Sequence, residues 1–415
     1  MASVRATLER PEDRPYRWWV LAAAMTAQTT AAVSTQGIGV LGGFIQADFG
    51  LTNAGVGALA GVLNVAPVLG LLFVGAWLDQ AGERLVIGTG AFVMGLSMAA
   101  TGLVTGLAGL LVCLLFVGVG YSTAQPGGSK AVFHWFAPRE RGLAMGLRQA
   151  GLPLGGVMAA ALFPGIANDL GWRSAFLAGA GVVLAGGALF CLVYHSPNRE
   201  GRAALPVGSS DFIPMRSHAR ALLALPAFRL AAFAGVVLIT LQTIALMFLA
   251  LYYRDSLGMP LTLGAVHLLL MQLAGAAGRI VLAALSDRIA RGRTVMVAAT
   301  AVGCLTGLVA VGLVPAIDPD PVLLYAASAW LGFFGFGWYG PWVAWITEIS
   351  PHERLGTTLG IAMAINQIAI VVTPIVFGAL VDAAGGYRLP GAVLMGVIAM
   401  YLGYASLVAP RVSRS

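Results

Sequence analysis

The chain contains twelve apolar runs, each long enough to cross a lipid bilayer as a helix. A transmembrane helix needs about 20 predominantly apolar residues. A soluble chain of 415 residues, 59% hydrophobic and only 10% charged, could not cover its apolar surface. We therefore predict an all-α membrane protein with twelve transmembrane helices. The runs lie at 18–43, 52–78, 85–106, 108–134, 142–166, 173–195, 228–253, 262–286, 294–315, 322–347, 355–381 and 389–409.

The longest polar interruption, residues 196–227, divides the twelve runs into six and six. Its Pro, Gly, Ser and Arg residues are typical of a connecting segment. We predict two six-helix halves, 18–195 and 228–409, joined by this linker. The remaining residues, 1–17 and 410–415, are predicted to be tails.

Segments of the two halves match in the same order, which indicates a duplicated six-helix unit. Because charged loop residues align as well as apolar ones, chance similarity between apolar helices does not explain the match. The predicted halves are therefore pseudo-symmetric. The matched pairs are GAWLDQAGERL (75–85) with ALSDRIARGR (284–293), PRERGLAMG (138–146) with PHERLGTTLG (351–360), and GIANDLGWR (165–173) with GALVDAAGGYR (378–388).

The basic residues are concentrated on one side of the predicted bundle. Of the 24 Lys and Arg residues, 18 lie in the tails or in the loops on the side of the termini. This positive-inside bias predicts that both termini are cytoplasmic, in a cytoplasmic (inner) membrane protein. The bias also explains the net charge of +7 without a nucleic-acid partner. The polar first sixteen residues predict an N-terminus that is retained, and we expect a monomer surrounded by membrane lipid.

Three basic residues, Lys130, Arg148 and Arg279, lie inside apolar runs. Arg279 precedes Asp287 by eight residues, which is roughly 12 Å along a helix. Arg148 follows Arg141 by seven residues and reaches a similar depth in the other half. A charge at that depth is costly and usually faces a partner or a watery cavity. Because no Asp or Glu lies near the middle of any run, these cations predict a small-molecule anion as the substrate.

Polar and aromatic residues of the central spans complete the predicted substrate site. Lys130 lies one helical turn from His134. We predict that Lys130 contacts the anion and that His134 is a packed or surface residue, with proton coupling as its alternative role. The other predicted substrate contacts are Gln28, Tyr121, Gln125, Trp338, Asn366 and Gln367.

The first matched segment resembles the signature of the major facilitator superfamily, G-x-x-x-D-x-x-G-R-[RK]. Gly75, Asp79 and Gly82 match it, Glu83 stands where the first Arg is usual, and Arg84 supplies the basic residue. The resemblance extends over the full chain. It implies a transporter with two six-helix halves that alternate in access about a central site.

The resemblance also implies a gate at the cytoplasmic face. There, Asp79 with Arg84, and their repeat counterparts Asp287 with Arg288, would make contacts that break as the halves rock. Asp79 at a helix end could accept hydrogen bonds from a neighbouring helix N-terminus, and Arg84 could pair across the face.

Arg279 resembles the span-eight Arg that binds the substrate carboxylate in monocarboxylate transporters and oxalate–formate antiporters. It holds the same place, eight residues before the Asp or Asn of the loop motif. A planar guanidinium suits this role because it can give two parallel hydrogen bonds to a carboxylate. The resemblance is incomplete. Span one has no Lys, Gly275 stands near the acidic place of the monocarboxylate transporters, and Asn366 and Gln367 replace the span-eleven Lys of the antiporters.

The predicted function is secondary transport of a mono- or dicarboxylate bound by Arg279 and Arg148, with either protons or a counter-anion as the coupling partner. The main alternative is a drug or metabolite exporter of the same superfamily. Two departures disfavour drug–proton exchange: Leu114 occupies the place of the span-four Arg, and the span-five motif at 151–156 has an inserted residue. A ligand-sensing membrane protein is a third, weaker alternative.

Neither an enzyme nor a metal or cofactor site is predicted. The runs contain no paired carboxylates and no catalytic triad. Cys113, Cys191 and Cys304 are isolated, without metal-ligand spacing, and are predicted to be packing residues.

Overall fold

The computed structural model describes residues 13–136, 141–195, 215–289, 292–317, 321–350 and 355–412. These residues form fifteen helices. The helices are α1 (Asp13–Phe49), α2 (Asn53–Ala81), α3 (Glu83–Thr101), α4 (Leu107–Tyr121), α5 (Ala124–Trp135), α6 (Arg141–Leu170), α7 (Trp172–Val193), α8 (Met215–Ala224), α9 (Pro226–Leu257), α10 (Leu261–Arg288), α11 (Gly292–Ile317), α12 (Pro321–Gly337), α13 (Tyr339–Glu348), α14 (Leu355–Ala384) and α15 (Arg388–Val412).

The helices make twelve passes through the bundle, six before and six after the predicted linker. Ten described helical segments are long and apolar enough to cross a membrane. In α2, Asn53–Val68 is a shorter apolar helix, while α1 is long but rich in Gln, Ser and Thr. The all-α membrane fold with two six-pass halves is therefore confirmed. α8 lies inside the predicted linker.

The fourth and tenth passes are each broken into two helices, which the sequence analysis did not predict. α4 ends at Tyr121 and α5 begins at Ala124, while α12 ends at Gly337 and α13 begins at Tyr339. Each break lies about one turn before a proline, Pro126 or Pro341. Proline has no N–H for the carbonyl four residues earlier, which weakens the helix at that point. The breaks are pseudo-equivalent and lie at the depth of the buried arginines.

Close backbone contacts join the two halves at one end of the bundle. We call the end where α1 begins and α15 ends the terminal end, and the opposite one the far end. Towards the far end, a Cβ atom built on Gly57 would lie 2.3 Å from the carbonyl oxygen of Pro374, and one on Gly378 would lie 2.3 Å from that of Asn53. Only glycine allows α2 and α14 to approach so closely.

Polar contacts also join the halves at the far end. The Asp382 carboxylate of α14 accepts hydrogen bonds from the backbone N–H groups of Asn53 (3.0 Å) and Ala54 (2.9 Å), at the start of α2. A carboxylate is favourable there because helix N-termini carry partial positive charge and unfilled donors. Arg254 of α9 donates to the side-chain oxygen of Gln46 of α1 at 2.8 Å.

At the terminal end, the ion pairs among described residues remain within one half. Glu83 pairs with Lys130 in the N-terminal half, and Arg293 pairs with Glu348 in the C-terminal half. The described polar contacts therefore join the two halves at the far end. At the terminal end, the described ion pairs stabilise each half by itself.

Candidate functional site

Arg148 lies on α6 and is completely buried, with 0% of its surface exposed. Its guanidinium donates to the side-chain oxygens of Gln28 (3.0 Å), Gln125 (3.0 Å) and Ser129 (2.8 Å). These acceptors lie on α1 and α5, so the guanidinium is fixed by two other helices of its own half. All three acceptors are neutral, so the positive charge is hydrogen-bonded but not balanced.

Arg279 lies on α10 in the other half, at the contact between α10 and α6. Its guanidinium donates to the backbone oxygen of Gln149 at 3.2 Å, across the interface between the halves. Its Cζ lies 5.6 Å from the centre of the Tyr339 ring, within the range of a cation–π contact. Only 8% of the residue is exposed. Because Gln149 follows Arg148 in the chain, Arg279 contacts α6 at the level of Arg148.

Two tyrosines at the helix breaks lie near both arginines. Tyr121 ends α4 and Tyr339 begins α13, and each lies within electrostatic range of both guanidinium groups. Tyr121 also interacts with the side chains of Thr35 and Gln28 on α1. Each half thus contributes one arginine and one tyrosine to the same place.

Hydrogen-bonding groups of this site remain unfilled. Among the described residues, no carboxylate forms an ion pair with Arg148 or Arg279. The Nε atoms of both arginines, the side-chain oxygen of Gln149 and the side-chain nitrogen of Gln28 are buried without a hydrogen-bond partner in the described part of the chain. Unfilled polar atoms and unbalanced charges are expensive to bury. The site is therefore electropositive and suited to a polar anion that would satisfy both.

Not all the predicted substrate residues lie with the arginines. Trp338 is fully buried and donates to the Gln242 side-chain oxygen at 3.0 Å. Gln367 donates to the backbone oxygen of Asn64 at 3.3 Å and so belongs to the contact between α14 and α2. Asn366 is buried, and its side-chain oxygen has no partner among the described residues.

Lys130 lies in a second cluster, towards the terminal end. It donates to the backbone oxygen of Leu78 at 3.1 Å and lies 3.8 Å from a carboxylate oxygen of Glu83. His134 lies 3.3 Å from the same oxygen, and the Tyr194 hydroxyl donates to Glu83 at 3.0 Å. Glu83, the departure from the family signature, therefore organises this cluster, which the sequence analysis did not anticipate.

The predicted gate is only partly within the described residues. The side chains of Asp79 and Asp287 lie outside the described part, although their backbones lie in α2 and α10. Arg84 and Arg288 are exposed at the terminal end. The signature glycine Gly82 has a φ of 80°, which glycine adopts readily, and it makes the turn from α2 to α3.

Sequence reasoning missed Ser129 and Gln149 as members of the arginine site, and it did not separate Tyr339 from the other aromatic residues of the tenth pass. For Tyr339 a signal existed in the repeat. GVGY ends in Tyr121 and GFGWY ends in Tyr339, so each tyrosine closely follows a G-x-G segment, although Trp338 rather than Tyr339 aligns with Tyr121. No such signal marks Gln149, because it contributes a backbone oxygen.

Comparison with known families and proteins places the whole chain among membrane transporters. The model of the Major Facilitator Superfamily matches residues 24–343. The probable galactarate/D-glucarate transporter GudP of Bacillus subtilis is 24% identical over 95% of this chain and 92% of its own length. The probable sulfoacetate transporter SauU of Cupriavidus necator is 26% identical over 89% of both chains.

Among solved structures, the fold is similar to that of a bacterial homologue of the human lysosomal transporter Spinster, in an inward-facing and occupied conformation. The two superimpose with a TM-score of 0.75 over 95% of this chain and 97% of the other, at 17% sequence identity. The likeness covers both halves and concerns the fold.

Proposed function

This chain belongs to the major facilitator superfamily and is a multi-pass membrane transporter rather than an enzyme; on that premise we propose that it carries a small organic anion, bound between Arg148 and Arg279. The observation that carries this proposal is the pair of buried guanidinium groups, one from each half. Neither forms an ion pair with a described carboxylate, and both have an unfilled Nε donor. An anion would fill these donors and balance the charge.

The geometry favours a mono- or dicarboxylate with further polar groups. One carboxylate would accept paired hydrogen bonds from Arg279. The amide and hydroxyl groups of Gln28, Gln149 and Tyr121 would form hydrogen bonds with the other polar groups of the substrate. GudP is described as a probable galactarate/D-glucarate transporter and SauU as a probable sulfoacetate transporter, and all three compounds are small organic anions. These names support the substrate class proposed for this chain.

The site would alternate its access through rocking of the two halves. Arg148 and Arg279 belong to different halves. Rocking of the halves would therefore change the distance between the two guanidinium groups. The far-end contacts, Asp382 with the start of α2 and Arg254 with Gln46, close one side. In this proposal the terminal end is the cytoplasmic side, as the positive-inside bias predicts.

Uptake by the purified protein in liposomes tests the proposal. Labelled D-glucarate, sulfoacetate and lactate would be offered to the wild type and to the Arg279→Ala and Arg148→Ala variants. We expect at least one of the acids to be taken up. Loss of a guanidinium charge, and in Arg279→Ala of the paired hydrogen bonds as well, should lower that uptake about tenfold or more in each variant.

The matched control is Arg229→Ala, which removes one exposed cation of α9 away from the site. It should take up the acid at the wild-type rate. Equal uptake by Arg279→Ala and the wild type would contradict the arginine site. Export of lipophilic cations that is unaffected by both substitutions would support the exporter alternative instead.

A further inference from the structure

A large cavity opens at the lipid-facing surface of the C-terminal half, away from the arginine site. Its volume is about 670 Å³. Its floor is α9, including the buried residues Ile244, Phe248 and Leu249, and its sides are α11 and α15. Val309 and Leu313 of α11 line it and are exposed. In a membrane, an apolar cavity of this kind faces acyl chains rather than water.

The cavity has the length and position of one membrane leaflet. Along α9 its lining extends from Ile244 to Leu257, a separation of thirteen residue steps or roughly 20 Å. It ends at the far surface, where α9 finishes and α15 begins. The hydrocarbon core of a bilayer is about 30 Å thick, so each leaflet contributes about half of that depth. The cavity is therefore long enough for an acyl chain from the far leaflet.

The surface end of the cavity is polar and carries a positive charge. Ser256, Tyr387 and the exposed Arg388 line it. The neighbouring Asp255 carboxylate is engaged by Arg254 at 2.6 Å and by the Tyr387 hydroxyl at 3.1 Å. None of the ion pairs among the described residues includes Arg388. Its guanidinium is thus available at the level of the lipid headgroups.

Tyr387 keeps its proton at this end. Burial raises the pKa of Tyr387, and the adjacent Asp255 raises it further. The hydroxyl therefore remains a neutral donor to Asp255. Arg388 then supplies the positive charge that favours an anionic headgroup.

We propose that this cavity is a binding site for a phospholipid of the far leaflet, with one acyl chain along α9 and the phosphate at Arg388. The opposite face of the same α9 segment closes the far end. A Cβ atom on Gly39 would lie 2.4 Å from the Leu246 carbonyl oxygen, and Arg254 contacts Gln46. A lipid bound in the cavity packs against the face of α9 that does not contact α1, and thereby stabilises this closed far end.

Native mass spectrometry of the delipidated protein, titrated with dioleoyl phosphatidylglycerol, tests the site. We expect one tightly held phospholipid on the wild type. Gly391→Phe and Gly312→Phe place a ring in the cavity from α15 and α11, and a Cβ at either glycine meets no atom within 4 Å. Each should fold, as judged by its melting temperature, and lose the tightly held lipid. Gly403→Phe is the matched control, since it lies on α15 outside the cavity and has equally open space.

The headgroup contact is tested separately with Arg388→Gln. Phosphatidylglycerol should bind this variant about tenfold more weakly, as expected for one lost charge-assisted hydrogen bond. Dioleoylglycerol, which lacks the phosphate, should bind the variant and the wild type equally. The proposal is overturned if both phenylalanine variants retain the lipid, if Arg388→Gln binds phosphatidylglycerol like the wild type, or if the occupant proves to be a second copy of the chain.

Discussion

Arg148 and Arg279 are both buried guanidinium groups in apolar helices, but the protein surrounds them differently. Arg148 donates to three side chains, Gln28, Gln125 and Ser129, and none of its surface is exposed. Arg279 donates to a single backbone oxygen, lies over the Tyr339 ring and keeps 8% of its surface exposed.

The difference suggests two roles within one proposed site. Arg148 is held in a fixed orientation by its own half, which suits a group that sets the potential of the site. Arg279 has more unfilled donor capacity and makes its described hydrogen bond across the interface between the halves. It is the better candidate for direct, paired contact with a carboxylate. This interpretation predicts that changes at the two arginines have different consequences.

The largest effect is expected from replacing the Arg279 guanidinium with another cation. Arg279→Lys keeps the charge but cannot give two parallel hydrogen bonds, so substrate affinity should fall about tenfold or more. The stability of the protein should hardly change, because the side chain makes one described hydrogen bond. Substrate titration of the purified protein and a thermal melt measure the two quantities. If affinity remains at the wild-type level, paired contact by Arg279 is wrong.

The second prediction concerns stability rather than affinity. Arg148→Met removes the donor of one buried acceptor, on Gln28, and of two partly buried acceptors, on Gln125 and Ser129. An unsatisfied buried group costs about 1–3 kcal/mol before relaxation. The melting temperature of the substrate-free protein should therefore fall clearly. Arg279→Met provides the comparison, and its melting temperature should fall less. Equal melting temperatures for the two variants would remove the distinction between a fixed and a free arginine.

A smaller effect is expected from loosening Arg148 without removing its charge. Ser129→Ala deletes one of its three acceptors, at 2.8 Å. One lost hydrogen bond of about 1 kcal/mol corresponds to a several-fold loss of substrate affinity at most. Ser97→Ala is the control, because the hydrogen bond of its hydroxyl among the described residues is to Val93 of its own helix. Equal affinities of the two variants would show that the orientation of Arg148 does not matter to binding.

The smallest effect is expected at Tyr339, and it separates the ring from the hydroxyl. Tyr339→Phe keeps the face on which Arg279 lies, whereas Tyr339→Leu removes a cation–π contact of about 0.5–2 kcal/mol. Affinity should therefore be nearly unchanged in the first and a few-fold lower in the second. The reverse order, measured by the same titration, would assign the contribution to the hydroxyl instead.

The depth of the arginines was predictable from the sequence, but their partners were not. The distance of Arg279 from Asp287 along one helix follows from helical rise alone. The acceptor at Gln149 lies on another helix and is a backbone oxygen, so residue type provides no signal for it. Lys130 illustrates the opposite case. Its depth suggested the anion site, whereas its observed neighbour is Glu83, reached by the packing of α5 against α3.

Helix breaks show a similar division. The sequence analysis predicted the fourth and tenth passes as continuous runs at 108–134 and 322–347. Pro126 and Pro341 each remove one backbone hydrogen bond, but α2, α6 and α14 continue through Pro67, Pro153 and Pro374, so proline alone does not predict a break. The consequence for the site, that Tyr121 and Tyr339 lie where the helices are interrupted, depends on the orientation of both segments in the folded bundle.

The sequence by itself determined the class of protein, the number of passes, the duplication and the presence of uncompensated positive charge within the membrane. These follow from local quantities: the length of apolar runs, their order and the cost of charge in lipid. Tertiary structure alone decided which groups surround Arg148 and Arg279, that Glu83 engages Lys130, and that α9, α11 and α15 line a cavity. Such contacts join residues that are distant in the chain, and they arise only when helix packing places particular faces together.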